Sequence, residues 1–592
     1  MINLKKNNLD KSLSPYLQQH KDNPIWWQEW SAETIKAAVE ENKPLFVSIG
    51  YATCHWCHVM AAEAFSDKET ADYLNQNFIC IKVDRELRPD IDQFLMSYII
   101  SQSGSGGWPL NVFLTPDINP FFALTYAPAK SNGSMGSFLT IAQKVNDYYK
   151  KNPGNIKPFI PDEERPPVAE EYYLIISLVR FADPLHGGFG QTQKFPPHTT
   201  LLFLLYSLSI DDKIEVRKVC SNTLDAMCLR GLNDHLQGGV FRYCVDREWT
   251  IPHFEKMLYD QAMALWCYSL AYKTLGKSEY KIMAENILRC LDESFEDNGL
   301  YISGHDADTE QSEGATYLWD YNELKKDLSD EEFNQLCEVY NIEKAGNFEG
   351  KIHLIKKIEI SITPIENKLL QIRKLKVQPD TDEKILCGIN ALTAIAMTQA
   401  ARFLEKPELE YKASDIIKRL MEIFWNGKTL GHSFYKGETQ NQSFLFDAAA
   451  VLTAITYLYE NDQTWDSQMT SMAEYTETFR QDEIWLESRA EDFQPVNASW
   501  FDHPIPSSVS LAEMGLARTA LLKVTEIQRK PYREPFRADF YNISAMLSNG
   551  LFHVITSKNH ISWSMLKENS IQVRGETESD CFNGVCSVLK IH

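Results

Sequence analysis

The sequence predicts two domains of different classes, an N-terminal α/β domain and a longer all-α domain. Three observations predict this division. Short apolar runs at 45–49, 78–83 and 110–114 alternate with helical patterns over the first 150 residues. Farther along, long helical patterns recur, and glycine-containing connectors separate them. Between the two parts, residues 151–167 hold five prolines and six charged groups without periodicity, which is typical of a linker.

The most informative element is Cys54-His55-Trp56-Cys57, which follows the apolar run 45–49. A strand followed by two cysteines at the start of a helix is typical of a thiol–disulfide redox site. Free N–H groups and the positive end of the helix dipole stabilise a thiolate there. We therefore predict that Cys54 attacks a substrate disulfide, that Cys57 resolves the mixed disulfide and that His55 favours the thiolate. This mechanism requires that the Cys54 sulfur is accessible to the substrate.

A second element of the α/β domain is Trp108-Pro109, which stands before the strand-like run 110–114. Proline has no backbone donor, and an X–Pro bond adopts the cis form far more easily than other peptide bonds. In thioredoxin-like folds such a cis proline faces the two cysteines and positions the substrate backbone. The pattern therefore predicts a cis bond and a place in the redox site for Trp108 and Pro109.

Three other interpretations of the cysteine motif stay open. Cys54 to His58 also fits the C-x-x-C-H signature of c-type haem attachment. His55 and His58 add nitrogen ligands for zinc, although the sequence offers no second Cys/His pair at close spacing. The cysteine pair could also be inert and buried. The preceding strand favours the redox interpretation, with no metal and no cofactor.

The composition narrows the classes of function. Lys and Arg number 59 against 81 Asp and Glu, and this net charge of −22 argues against nucleic acid as a partner. No run of 18 apolar residues predicts a membrane span, and the first residues lack the apolar core of a signal peptide. Twelve scattered cysteines do not indicate a disulfide scaffold. We expect a cytoplasmic protein without a membrane partner.

The second domain carries a series of long helical patterns, at 170–181, 199–209, 215–230, 255–275, 278–295, 390–404, 411–424, 446–460 and 507–524. Paired helices with glycine-containing loops favour an array of helical hairpins. The pattern alone leaves open whether the array closes into a ring or forms an open solenoid.

Polar residues of this domain are densest between Asp234 and Gln261. We expect Pro252 to begin a helix that places His253, Lys256 and Asp260 near one face. Aromatic neighbours favour a cavity for a sugar-type ligand over a solvated face with an ion pair. A nearby pair of carboxylates could serve glycoside chemistry or belong to a turn without a function. The candidate cavity residues are Arg242, Tyr243, Asp246, His253, Glu255, Lys256, Tyr259, Asp260, Asp306, Asp308 and Glu349.

Motifs along the chain resemble one known family. They include Ser14-Pro15-Tyr16-Leu17, Lys82-Val83-Asp84-Arg85-Glu86 and Gly106-Gly107-Trp108-Pro109-Leu110, together with the cysteine motif. In these residues the chain resembles the spermatogenesis-associated protein 20 family. The resemblance implies an α/β thioredoxin-like domain over 1–150, the linker 151–167, and an all-α (α/α)6 toroid of the six-hairpin glycosidase type over 168–592 with a C-terminal extension.

The resemblance also bears on function. Cys581 and Cys586 are similar to a C-terminal cysteine pair of the family and could be a second redox pair, a shuttle for the Cys54–Cys57 site or two unrelated thiols. The leading hypothesis is a thiol–disulfide oxidoreductase or redox sensor with a protein or small-molecule disulfide as substrate. The alternatives are a carbohydrate-active isomerase or hydrolase, and a non-catalytic scaffold that binds a carbohydrate.

Overall fold

The structure is a computed structural model, and it describes residues 3–131, 133, 135–152, 154–161, 171–523 and 537–588. The N-terminal domain is a five-stranded sheet with helices on both faces. Its helices are α1 (Pro15–Gln19), α2 (Ala32–Glu41), α3 (His55–Ala62), α4 (Lys68–Asn77), α5 (Pro89–Ser103) and α6 (Phe138–Lys151). Its strands are β1 (Gln28–Glu29), β2 (Leu45–Gly50), β3 (Ile79–Asp84), β4 (Leu110–Leu114) and β5 (Pro120–Leu124).

The strand order of this sheet is β1-β3-β2-β4-β5. β3 runs parallel to β1 and β2, whereas β4 is antiparallel to β2 and β5 is antiparallel to β4. Alternate residues of β2 face opposite sides: Phe46 packs in the cluster with α3, α4 and α6, and Val47 and Ile49 pack in the cluster with α2 and α5. This domain is thioredoxin-like, as predicted.

The helices of the second domain are α7 (Glu171–Phe181), α8 (His198–Leu208), α9 (Ile214–Leu229), α10 (Leu258–Leu275), α11 (Ser278–Cys290), α12 (Tyr321–Asp327), α13 (Asp330–Val339), α14 (Thr363–Lys374), α15 (Cys387–Leu404), α16 (Glu408–Phe424), α17 (Leu445–Tyr459), α18 (Asp466–Glu477), α19 (Ser508–Leu522) and α20 (Asp539–Ser548). In a closed inner ring, each of α8, α10, α15, α17, α19 and α20 contacts the next, and α20 contacts α8. Every residue of α8 and α15 is buried, as expected for helices surrounded on all sides. The domain is an (α/α)6 toroid, and the open solenoid is excluded.

Short strands connect these helices: β6 (Tyr243–Cys244), β7 (Pro252–His253), β8 (Lys256–Met257), β9 (Glu296–Asp297), β10 (Leu300–Tyr301), β11 (Gly304–His305), β12 (Asp308–Thr309), β13 (Ser312–Glu313), β14 (Thr381–Asp382), β15 (Ile385–Leu386), β16 (Ser433–Tyr435), β17 (Glu438–Gln440), β18 (Arg480–Gln481) and β19 (Ile484–Trp485). The helix start predicted at Pro252 is wrong, because α10 begins at Leu258. Residues 252–257 instead form β7, which pairs with β6, and β8, which pairs with β11. His253 and Lys256 therefore do not share a helix face with Asp260.

The two ends of the inner ring have different neighbours. At the end where α17 begins, Asp447 bonds to His432, whose other ring nitrogen contacts the carbonyl of Glu86 in the thioredoxin-like domain. At the end where α15 finishes, Arg402 donates to the carbonyl oxygen of Ser570, at 2.8 Å. Ser570 belongs to a C-terminal sheet that the sequence did not predict, with β20 (His553–Ser557), β21 (Ser570–Arg574), β22 (Ser579–Phe582) and β23 (Val585–Val588). The thioredoxin-like domain and the C-terminal sheet thus cover opposite ends of the ring.

The predicted linker 151–167 lies partly outside the described residues. Its described part packs against the first domain, because the ring of Phe159 contacts Phe94 and Tyr98 of α5. The predicted domain boundaries stay predictions. Within the described part of the chain, no helix combines the length and the apolar character needed to cross a membrane.

Candidate functional site

The two cysteines of the motif lie at the N-terminus of α3. Cys54 is the N-cap residue, and its Sγ accepts a hydrogen bond from the backbone N–H of Cys57, at 3.3 Å. A disulfide joins Cys54 to Cys57. The first sulfur therefore occupies the position where helix N–H groups stabilise a negative charge. This is the placement that the sequence predicts.

The peptide bond between Trp108 and Pro109 is cis, as predicted. In the antiparallel pairing of β4 with β2, Leu110 lies opposite Ile49, so Pro109 stands beside the end of β2 from which the cysteine loop departs. The Trp108 indole N–H donates to Asp92, at 2.8 Å, and the Arg85 guanidinium lies 3.8 Å from the centre of the Trp108 ring. Burial raises the pKa of Asp92 to about 6.

The disulfide is covered. Cys54 is 4% exposed and Cys57 1% exposed, whereas Trp56 between them is 51% exposed. Both cysteines pack in the core of the thioredoxin-like domain, and the toroid lies next to them, since the hydroxyl of Thr53 donates to the Glu255 carboxylate. The predicted mechanism requires access to the Cys54 sulfur, and in this arrangement Cys54 is almost completely buried.

Two histidines of the motif contact carboxylates of the toroid. His55 Nδ1 lies 2.8 Å from Asp308 Oδ2, and His58 Nδ1 lies 3.5 Å from Asp306 Oδ2 and 3.7 Å from Asp308 Oδ2. The hydrogen bond to Asp308 raises the pKa of His55. Burial by itself lowers the pKa of His58, but the neighbouring carboxylates outweigh it and the pKa is raised. The carboxylate pair proposed for glycoside chemistry therefore faces the redox motif.

The same cluster has the donor atoms of a metal site. One ligand atom from each of His58, Asp306 and Asp308 lies within 4.8 Å of the others. Burial raises the pKa of Asp306 to about 6, against the effect of the His58 charge. The His58 Nε2 contacts the carbonyl of Ala52, at 2.7 Å. These contacts give the His58 ring and the two carboxylates partners within the protein. The expectation of no metal stays a prediction.

Some of the cavity residues predicted in the toroid contact the thioredoxin-like domain. Arg242 forms a buried ion pair with Glu255, at 2.8 Å, and also bonds to the hydroxyl of Tyr51. The Arg242 guanidinium lies 6.0 Å from the centre of the buried Tyr259 ring. Asp260 is buried beside them, and this burial raises its pKa well above the usual value. Arg242 therefore bonds across the domain interface, and a cavity role for Arg242, Tyr259 and Asp260 stays a prediction.

The other predicted cavity residues have local roles. His253 contacts Glu313, at 2.6 Å, and lies 5.2 Å from the ring of Tyr243, which stacks on Phe195. Lys256 is buried in an ion pair with Asp234, at 2.7 Å. Asp246 accepts hydrogen bonds from backbone N–H groups of its own loop. Glu349 is exposed. Lys256 and Asp246 thus have partners of their own, and the prediction that Lys256, Asp246 and Glu349 line a cavity stays a prediction.

Sequence reasoning missed the second half of the interface. Lys384 of the toroid is fully buried, lies 2.6 Å from Glu86 and 3.6 Å from Asp84, and bonds to Asp382. Burial raises the pKa of Asp382 to about 7, although the Lys384 charge opposes this. One signal in the sequence could have indicated this contact. Asp84 and Glu86 stand at the end of a predicted strand, and loops at strand ends often carry functional residues.

A cleft of about 1200 Å³ lies between the domains. The thioredoxin-like domain contributes Arg85, Asp92 and Trp108, and the toroid contributes Trp485 and Trp500 among others. The cleft therefore reaches the residue that precedes the cis proline.

The second cysteine pair is also a disulfide, formed by Cys581 and Cys586 across the antiparallel strands β22 and β23. It lies on the C-terminal sheet, at the other end of the ring. The 18 residues of α15 alone span about 27 Å between the two ends. The toroid therefore separates the two disulfides in this structure, and a shuttle between Cys581–Cys586 and Cys54–Cys57 stays a prediction.

Comparison with known proteins places these features in a family. Residues 6–166 match the family model Thioredox_DsbH, described as protein of unknown function, DUF255. Cellobiose 2-epimerase of Bacteroides fragilis is 32% identical over 94 residues, 15% of this chain and 24% of that protein. The solved structure of cellobiose 2-epimerase from Spirochaeta thermophila aligns with 14% identity and a TM-score of 0.42, over 64% of this chain and 81% of that chain.

A longer match comes from a vertebrate protein. Spermatogenesis-associated protein 20 of Mus musculus is 32% identical over 531 residues, which cover 77% of this chain and 67% of the mouse protein. A match of this length extends well beyond the thioredoxin-like domain and includes much of the toroid. The chain belongs to the spermatogenesis-associated protein 20 family.

Proposed function

We propose that this chain is a thiol–disulfide oxidoreductase or redox sensor whose site the toroid completes. The observation that carries the proposal is the Cys54–Cys57 disulfide at the N-terminus of α3, beside the cis bond before Pro109. In the reduced state, the Cys54 thiolate attacks a substrate disulfide and expels one substrate thiolate. The Cys57 thiolate then attacks the Cys54 sulfur and expels the second, so that the substrate gains two electrons and the protein disulfide forms.

The histidine–carboxylate contacts support this chemistry. His55 and His58 flank the cysteines, and Asp308 and Asp306 favour their charged forms. A nearby imidazolium lowers the pKa of a thiol and makes the corresponding disulfide easier to reduce. The toroid thus contributes to the redox potential of the motif through two carboxylates.

The burial of the cysteines bears on the substrate. With Cys54 only 4% exposed, a folded protein has little access to the sulfur unless the toroid moves. A small-molecule disulfide such as oxidised glutathione needs less room. We therefore favour a small-molecule disulfide over a protein disulfide as the substrate.

The test is equilibration of the full chain in buffers of reduced and oxidised glutathione, followed by alkylation and mass spectrometry. The Cys54–Cys57 pair is expected to change from disulfide to dithiol over a defined ratio. Cys57→Ser is expected to accumulate a mixed disulfide of glutathione with Cys54, and the matched variant Cys54→Ser is not. A pair that stays oxidised in the folded chain under excess dithiothreitol would contradict the proposal.

A second candidate function is carbohydrate binding in the cleft between the domains. Aromatic side chains such as Trp108, Trp485 and Trp500 line it together with carboxylates, a combination suited to a sugar that stacks on the rings and donates hydrogen bonds from its hydroxyls to the carboxylates. The partial match to cellobiose 2-epimerase makes cellobiose the first probe. Calorimetric titration with cellobiose should give saturable binding that Trp500→Ala abolishes and Trp56→Ala, outside the cleft, does not. Heat of dilution alone for the wild type would reject this candidate.

A further inference from the structure

One buried hydroxyl of the thioredoxin-like domain has no hydrogen-bond partner. Tyr16, the second residue of α1, is 0% exposed, and its Oη makes no hydrogen bond within the described part of the chain. Buried hydroxyls normally find a partner, because an unpaired one loses its bonds to water without compensation. An orphan hydroxyl in a well-packed core is therefore a candidate for a role in another chemical state of the protein.

The hydroxyl lies beside the redox site. A Cβ atom added to Gly50, the last residue of β2, would lie 2.3 Å from the Tyr16 Oη and 2.7 Å from the Cys57 Sγ. The Tyr16 Oη and the Cys57 Sγ therefore lie next to the same point, and the distance between them is no more than about 5 Å. Because Gly50 has no side chain, no Cβ atom stands between the hydroxyl and the sulfur at this point.

The other polar groups near Tyr16 are less suited to contact this sulfur. Lys82 lies 5.2 Å from the centre of the Tyr16 ring, and its Nζ donates to the hydroxyl of Ser48, at 2.9 Å. The ring of His20 lies 4.9 Å from that of Tyr16, and its Nδ1 contacts Asn23. Its Nε2 also has no hydrogen-bond partner within the described residues, but the atoms nearest to the Cβ position of Gly50 belong to Tyr16 and Cys57. Burial raises the pKa of Tyr16 well above its usual value, with a further contribution from Asp84, so the phenol keeps its proton. The hydroxyl is thus available as a donor.

We propose that Tyr16 donates a hydrogen bond to the Cys57 thiolate that forms when the Cys54–Cys57 disulfide opens, an inference that rests on the proposed redox function. In that step a thiolate of the reductant attacks the Cys54 sulfur. A bond forms between these two sulfurs, the Cys54–Cys57 bond breaks, and its electron pair stays on Cys57. The Cys57 thiolate is buried, so a fixed donor stabilises charge that develops where water cannot reach. In the closing direction the same bond holds the thiolate that attacks the mixed disulfide.

Tyr16→Phe tests this because it removes only the hydroxyl. Opening of the disulfide by dithiothreitol should slow by about 10- to 100-fold, the loss expected for one hydrogen bond to a charged group. The equilibrium with glutathione should shift toward the disulfide by a similar factor. The melting temperature should stay unchanged or rise, since an unsatisfied buried hydroxyl is lost. A purely structural role would lower it instead.

Tyr98→Phe is the matched control, because Tyr98 is 7% exposed and packs in the cluster on the other face of the same sheet. In the Tyr98→Phe variant, the Cys54–Cys57 disulfide should open at the wild-type rate. In the Cys54→Ser background, the alkylation rate of Cys57 against pH gives a second readout, and Tyr16→Phe should move its midpoint to higher pH. Wild-type opening rate and equilibrium in Tyr16→Phe would overturn the inference alone. A wild-type disulfide that dithiothreitol cannot open in the folded chain would overturn the proposed function and the inference together.

Discussion

Asp308→Asn is expected to weaken the contact between the two domains. The substitution keeps the shape of the side chain and removes the charge that lies 2.8 Å from His55. A hydrogen bond to a charged group contributes about 1.5–3 kcal/mol, and an exposed ion pair contributes about 0–1 kcal/mol. The side chains of His55 and Asp308 are 22% and 12% exposed, so solvent screens the pair in part. We expect the free energy of unfolding to fall by about 1–2 kcal/mol, between these limits.

The pH dependence of this loss follows from the two pKa shifts. The pKa of His55 is raised, so its contribution is complete below the unfolded value of 6.5 and is lost as the pH rises through the folded pKa. The pKa of Asp308 is lowered, so its contribution is present above the unfolded value of 3.8 and is lost as the pH falls through the folded pKa. The ion pair of His55 with Asp308 therefore stabilises the folded protein most between pH 3.8 and pH 6.5, the two unfolded pKa values. The loss of stability caused by Asp308→Asn should accordingly shrink at high pH.

Urea unfolding of the wild type and Asp308→Asn at pH 6 and pH 9 measures this difference. Glu310→Gln is the matched control, because it removes a charge from an exposed residue of the same loop. The control should leave the free energy of unfolding within about 0.5 kcal/mol of the wild type. A loss in Asp308→Asn that is as large at pH 9 as at pH 6 would refute the reasoning, since His55 would then make its contribution without a charge.

Three other predictions concern packing and the second disulfide. Gly50→Ala should lower the free energy of unfolding by about 1–3 kcal/mol in urea titrations because its Cβ would collide with the hydroxyl and sulfur beside it, whereas Gly136→Ala, in open space, should not. Arg242→Ala should cost about 3–5 kcal/mol in the same assay, because it leaves Glu255 charged and buried without its partner; a loss below 1 kcal/mol would contradict the buried pair. Cys581→Ser should leave the glutathione equilibrium of the first cysteine pair unchanged, and a shift in that equilibrium would show contact between the two disulfides.

Local signals predicted the placement of the cysteine motif well. Cys54 follows a buried strand and caps a helix, and both features depend on residues within a few positions of it. The cis bond at Pro109 is likewise a property of one dipeptide and the strand that follows. The long inner helices, such as α15 and α17, were found within a few residues because their apolar patterns are extended.

Nonlocal pairing explains what the sequence did not reveal. Met257, the N-cap residue of α10, makes no side-chain capping bond, so no capping signal marks the true start of the helix. The preceding strand β8 pairs with β11, tens of positions away. The contact between Thr53 and Glu255 spans 202 positions, and only the docking of one domain on the other creates it.

The interface also determines where a further ligand can bind. Arg242 and Glu255 lie at the end of the ring that the thioredoxin-like domain covers, and their polar atoms bond to Tyr51 and Thr53. A ligand in the ring centre would have to displace these partners and replace each bond, since an unsatisfied buried polar group costs about 1–3 kcal/mol. It would also have to separate Lys384 from the thioredoxin-like domain, which breaks the ion pair of the fully buried Lys384 with the largely buried Glu86. The cleft between the domains requires no such rearrangement, so we expect a carbohydrate or other small ligand to bind there, next to Trp108 and the redox site.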